Sequence, residues 1–158
     1  MERAHFEKFF EERGDFLGRV LDYHLILEGL LAAMIEKVIA HPEVLDLERM
    51  FFSQKLMLCR ALELISDAEF HLLKKMNALR NRFAHRLGYQ VNFSDIHTLV
   101  REAGAAGIDF SDSVDATDID SAKSMGYDAN MLLNALFRNT FYWIASNQSE
   151  DLWRELTS

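Results

Sequence analysis

Apolar side chains recur at helical rather than strand spacing along nearly the whole chain, and breakers are few, with one proline and seven glycines. The most apolar run spans 15–40 and includes Phe16, Leu17, Val20, Leu21, Leu25, Leu27, Leu30, Leu31, Met34, Ile35 and Val38. Apolar residues cover most of its circumference, which predicts a central helix, and His41-Pro42 stops it. Its polar positions, Asp22, His24, Glu28 and Glu36, are expected to be solvated or satisfied by a neighbour. Glu28 is the one placed to orient a basic residue from another helix. Before this run, 2–13 reads as a short helix carrying Phe6, Phe9 and Phe10. After it come a short helical turn over 43–50 and a helix over 53–64 capped by Ser53.

The next helix is predicted over 67–87. Ser66-Asp67-Ala68-Glu69 has capping-box spacing, in which Ser66 accepts an orphan amide and Glu69 reaches back. Gly88 suits the C-terminal cap. Leu72, Met76, Leu79, Phe83 and Leu87 fall on one face. A weaker apolar strip of Phe70, Leu73 and Ala84 adjoins it, interleaved with Asn77, Arg80 and Asn81, with His85 at its edge. A helix apolar on two adjoining sides touches two things: here the chain's own core and a partner, a second copy. A helix from 94 or 95 to 103 and a last one over 126–146 complete the set, followed by a tail through Trp153. Between them, 104–124 is rich in Gly, Ala, Ser and Asp and reads as a flexible solvated loop. Its aspartates lack the spacing and sixth-position glycine of a calcium loop. The expected architecture is all-α: a compact bundle of five or six helices in one domain over 1–158, with its core at about 15–148. The 15–40 and 67–87 helices should pack through Leu27, Leu30, Leu31, Met76, Leu79 and Phe83.

Composition narrows the function. At 158 residues, 49% of them hydrophobic, the chain has ample material for one core. The single Cys59 excludes an internal disulfide and fits a reducing compartment. The first residues lack the basic–apolar pattern of a leader, and no long uninterrupted apolar run offers a membrane span. A cytoplasmic protein without membrane attachment is expected. The net charge of −8 argues against broad capture of nucleic acid, and DNA is an unlikely partner because no helix-turn-helix is found. Charge is nevertheless segregated. Residues 70–90 hold five Lys or Arg and no acid, whereas 109–120 hold five Asp and no base. A basic helix on an acidic body fits selective rather than general phosphate binding. Gly-rich phosphate loops, His-Glu-x-x-His and paired-cysteine metal sites are missing, and no metal or other cofactor is expected.

The run Asn77-Ala78-Leu79-Arg80-Asn81-Arg82-Phe83-Ala84-His85 resembles the Arg-Asn-x-x-x-His signature of the HEPN superfamily. The preceding 52–62 stretch is similar to the helix that leads into the motif in some members. The resemblance implies a small helical, dimeric, metal-independent ribonuclease of toxin–antitoxin or phage-defence systems, with its active site at the dimer interface. It raises an antitoxin or other neutralising protein as a possible further partner. The residue chemistry fits such a reaction independently. Cleavage by the substrate's own 2′-hydroxyl needs a base, an acid for the leaving 5′-oxygen, and positive charge on the phosphate. His85, with a reference pKa of about 6.5, suits either proton role. Arg80 supplies a permanent bidentate cation, and Asn81 positions phosphate or orients the histidine. One histidine cannot be both acid and base in a turnover, so two copies of His85 in one cleft suit the chemistry. Arg82, Arg86 and Lys74, on the outward arc, are candidate RNA contacts. Two bland readings stand beside this: Arg80 paired with Glu28 or another buried acid, and basic residues merely meeting a helix C-terminus. The alternative function is a non-catalytic, dimeric interaction or RNA- or nucleotide-binding module of the same fold.

Overall fold

The computed structural model describes residues 16–85, 91–148 and 154. Six α-helices and no strand lie among the described residues: α1 (Phe16–Val38), α2 (Phe52–Ala61), α3 (Asp67–His85), α4 (Phe93–Ala105), α5 (Ile119–Ser124) and α6 (Ala129–Ser146). Two 3₁₀ turns join them, at Pro42–Val44 and Val114–Ala116. The all-helical expectation holds. The helix expected over 2–13, the Gly88 cap and the end of the tail lie outside the described residues.

Helix α1 is the hub, packing on α2, α3 and α6. Val20, Tyr23, Leu27, Leu30, Leu31, Met34 and Ile35 recur every third or fourth position, and all are buried, so they form one continuous face. The six residues expected between α1 and α3 (Leu27, Leu30, Leu31, Met76, Leu79 and Phe83) are all in the core. Each such side chain contributes roughly 1.5–3 kcal/mol by leaving water. At the α6 end of α1, Tyr23 stacks on Phe137 with centroids 5.1 Å apart and its hydroxyl donates to Asn134. Arg19 donates to Asn130 at 3.2 Å on the same seam.

The start of α3 follows its sequence signal. Glu69 N–H donates to Ser66 Oγ at 3.1 Å, and Ser66 N–H donates to Glu69 Oε2 at 2.7 Å. The other carboxylate oxygen accepts the Trp143 indole N–H at 2.9 Å, so one acid both closes the cap and ties α3 to α6. Helix α2 departs from expectation at both ends. It starts at Phe52 rather than being capped by Ser53, because Gln54 Oε1 reaches back to the Phe51 N–H at 2.8 Å. It stops at Ala61, where Glu63 turns left-handed (φ 58°) and Leu64 N–H closes onto the Cys59 carbonyl at 2.9 Å. That closure satisfies carbonyls at the helix end without a glycine.

The Asp-rich stretch over 104–124, expected as a solvated loop, contains the second 3₁₀ turn and α5. Ile108, Phe110, Val114 and Ala122 anchor it in the core. Its aspartates serve as local ties: Asp118 caps α5 by accepting from Ser121 N–H at 2.7 Å, and Asp112 accepts from the Val114 N–H and the Tyr127 hydroxyl. A hidden apolar beat thus holds what the composition presents as a polar linker. Gly104 lets the turn approach, since a Cβ there would lie 2.7 Å from Asp115 Cβ.

Candidate functional site

The polar side chains of α3 converge near its C-terminal half. Positions 80 and 81 lie three and four residues after 77, so both adjoin Asn77 on the helix surface. Asn77, Arg80 and Asn81 are all partly buried. Arg80 Nη1 donates to Asn81 Oδ1 at 3.1 Å, so the structure brings these two predicted residues together. Arg80 Nε is fully enclosed and has no hydrogen-bond partner. Glu28, the acid expected to orient Arg80, instead accepts from Lys55 Nζ at 2.9 Å. Lys55, on α2, is 4% exposed. Among the described residues, no carboxylate pairs with Arg80.

His24 completes this cluster, and no motif in the sequence marks it. It projects from α1, is 5% exposed, and packs its ring 4.2 Å from that of Phe52. Its Nε2 lies 2.8 Å from Asn77 Oδ1; with the amide oxygen as acceptor, Nε2 carries the proton. Burial pushes the imidazole below its ordinary pKa. The Asn77 bond opposes that shift, the Arg80 cation adds to it, and Glu28 opposes it weakly. The sequence signal for His24 was a lone imidazole on an otherwise apolar helix. That pattern fits the satisfied core histidine expected by default, and nothing in its spacing indicated which helix would satisfy it.

His85 is exposed at the last position of α3 and has no hydrogen bond among the described residues. It lies about 7.5 Å beyond Arg80 along the axis, at 1.5 Å per residue. Arg82 and Lys74 are also exposed. Lys74 lies about 9 Å towards the N-terminus from Arg80 and is not gathered with it. Arg86 lies outside the described residues. Of the basic residues on this helix, Lys75 is committed elsewhere, to Glu102 at 2.7 and 2.8 Å.

The second apolar strip divides differently from expectation. Leu73 is fully buried, Phe70 packs partly buried against the same core, and only Ala84 is exposed. Most of the strip assigned to a partner is therefore consumed within the chain. Exposed large apolar side chains occur instead at Leu25 on α1, Phe51 at the start of α2 and Met57 on α2. These two helices are joined by the His24–Phe52 and Glu28–Lys55 contacts.

Among the described residues, no three His, Cys, Asp or Glu side chains gather where they could hold a metal ion, and no helix is long and apolar enough to cross a membrane. Cys59 is buried, and burial pushes its thiol up to about 12. Such a thiol stays protonated and is a poor nucleophile. Comparisons with known protein families, with curated proteins and with solved structures find no match to this chain.

Proposed function

We propose that this chain is a metal-independent endoribonuclease of HEPN type, acting at Arg80, Asn81 and His85 in a homodimer, with a toxin or defence role. The observation that carries the reading is the half-buried Arg80 guanidinium without a carboxylate partner. Removing a permanent cation from water is costly unless an anion compensates it. Glu28 is committed to Lys55, which leaves Arg80 open to an external anion, and a phosphodiester matches the planar donors of arginine.

In this reaction His85 takes the proton from a ribose 2′-hydroxyl. The 2′-oxygen attacks phosphorus, and Arg80 stabilises the added negative charge on the phosphoryl oxygens. The P–O5′ bond breaks, and the His85 of a second copy protonates the leaving oxygen. The products are a 2′,3′-cyclic phosphate and a 5′-hydroxyl. Asn81, bonded to Arg80, holds the guanidinium in place, while Arg82, Arg86 and Lys74 contact the RNA backbone. The exposure of His85 supports this role, because both a substrate and a second copy can reach it.

A second reading is a non-catalytic dimeric module that binds RNA, a nucleotide or a protein. The exposed Leu25, Phe51 and Met57 favour it, since apolar surface of this kind serves association whatever the chemistry. Incubating the purified protein with total RNA, with and without EDTA and beside His85→Ala, separates the two. The enzyme cuts RNA in EDTA and the variant does not, whereas the module leaves RNA intact in every lane.

A further inference from the structure

The hydrogen bonds around Arg80 leave an unequal remainder. A side-chain amide has an accepting end and a donating end. At Asn77 the accepting oxygen is taken by His24 Nε2 at 2.8 Å, and at Asn81 it is taken by Arg80 Nη1 at 3.1 Å. Each asparagine keeps its NH2 group. Among the described residues, neither Nδ2 atom has a hydrogen-bond partner, and neither is sealed from solvent. Arg80 Nη2 is in the same state, whereas Arg80 Nε is sealed inside and out of a ligand's reach.

The orientation of Asn77 is set from a second helix. His24 belongs to α1, is buried, and lies with its ring 4.2 Å from that of Phe52 on α2. An imidazole packed there has little room to swing, so its Nε2–H holds the Asn77 oxygen inward and leaves Nδ2 outward. The Arg80 cation also acts on His24, which places the guanidinium on the same side of α3 as the Asn77 amide. Glu28, the acid that acts on His24 as well, is spent on Lys55. This part of α3 therefore offers one cation and a set of donors, with its amide oxygens already committed.

We infer that Asn77 is a further phosphate-binding residue of this site, locked by the buried His24 so that its Nδ2 donates to the phosphate beside Arg80 and Asn81. The inference rests on the reading that Arg80 receives an RNA phosphate. The non-bridging oxygens of a phosphodiester only accept, so they match a remainder made of donors, and hydrogen bonds to an ionised acceptor are the stronger kind. A ligand ammonium would meet the arginine charge and find no free side-chain acceptor. Asn77 touches the substrate, whereas His24 acts through Asn77 and is a positioning residue.

The test is an NMR titration of the full chain at low salt with a 2′-O-methyl RNA tetranucleotide, which keeps the phosphodiesters but lacks the nucleophile and stays whole. The expected result is a saturable shift of the Asn77 side-chain NH2 resonances. Asn77→Ala should weaken binding by about tenfold, as loss of one hydrogen bond to a charged group predicts. His24→Leu leaves Asn77 in place without its anchor and should weaken binding by about threefold or more, and His24→Gln, which returns an N–H donor, should recover most of that loss. Backbone amides in the same spectra report whether each variant folds, and Asn77→Ala decides the question if His24→Leu does not. No saturable shift in the parent, a shift that spares the Asn77 side chain, or unchanged binding by Asn77→Ala overturns the inference. Equal losses in folded His24→Leu and in His24→Gln overturn the role of His24. RNA cleavage alongside unchanged oligonucleotide binding by Asn77→Ala strikes this inference and leaves the ribonuclease reading standing. Binding through Asn77 with RNA left whole does the reverse.

Discussion

The guanidinium of an arginine presents a planar fork of donors that a lysine ammonium lacks. Replacing Arg80 with lysine keeps the charge but loses the planar fork, whereas alanine loses both. On the proposed chemistry Arg80→Ala lowers the cleavage rate by roughly 100-fold or more, and Arg80→Lys recovers only part of that loss. Arg82→Ala, on the exposed side, should weaken RNA binding and leave the rate at saturation nearly unchanged; steady-state kinetics on one RNA read both effects. His24 provides a separate check by pH. Its folded-state pKa lies below the value of about 6.5 of an unfolded histidine. Between those two values the unfolded chain binds more protons, so stability falls with acidification. His24 therefore contributes fully above about pH 6.5 and progressively less as pH drops below that value. Urea midpoints measured at about pH 7 and about pH 5 should differ less in His24→Gln than in the parent. An equal pH slope in both proteins would show that His24 is not held neutral.

At the scale of elements, two contacts make predictions independent of function. Lys55 is buried against Glu28, and Lys55→Ala strands an acid that is itself mostly enclosed. Breaking one side of such a pair should cost about 3 kcal/mol in denaturant unfolding, the lower end for buried pairs because Glu28 retains some solvent. Gly104→Ala forces a Cβ against Asp115 and should destabilise by about 1–3 kcal/mol while displacing the Val114–Ala116 turn. The helices themselves were legible because period and caps agreed: Ser66 and Glu69 marked the start of α3, and the Leu27, Leu30 and Leu31 beat marked the buried side of α1. What could not be read was which polar groups meet across helices. Glu28 looked free to serve Arg80, but Lys55, on a helix whose own apolar face is short, reached it instead. Ile108, Phe110 and Val114 are too few and too widely spaced to outweigh the surrounding Asp and Ser by pattern, so their anchoring of the 104–124 stretch emerges only from packing. The sequence pattern alone places Leu73 on a partner-facing strip, because a helix wheel shows how wide an apolar face is, not how many neighbours surround it. The Arg80–Asn81 contact was legible as adjacency, whereas the His24–Asn77 bond depends on tertiary packing.

For the whole molecule, acidity and assembly govern behaviour. With a net charge of −8, the chain should bind RNA weakly, and the affinity should fall as salt rises according to the few phosphates contacted. The proposed chemistry needs two His85 side chains in one cleft, so light scattering at micromolar concentration should give a dimer. The exposed Leu25, Phe51 and Met57 make Met57→Glu the variant expected to weaken it, because a charge introduced into an apolar contact is costly to desolvate. A monomer that nevertheless cleaves RNA would remove the two-histidine scheme.

The proposed activity is tested most directly by the ends it leaves. A defined single-stranded RNA is incubated with the full chain in EDTA, beside His85→Ala of matched circular dichroism spectrum, and the fragments are analysed by mass spectrometry. The predicted result is fragments ending in 2′,3′-cyclic phosphate and beginning with 5′-hydroxyl, made by the parent and lost by roughly 100-fold or more in the folded variant. Fragments produced equally by His85→Ala, or carrying 5′-phosphates, would contradict the proposed chemistry, and RNA left whole by the parent across substrates would leave the binding module as the function of this site.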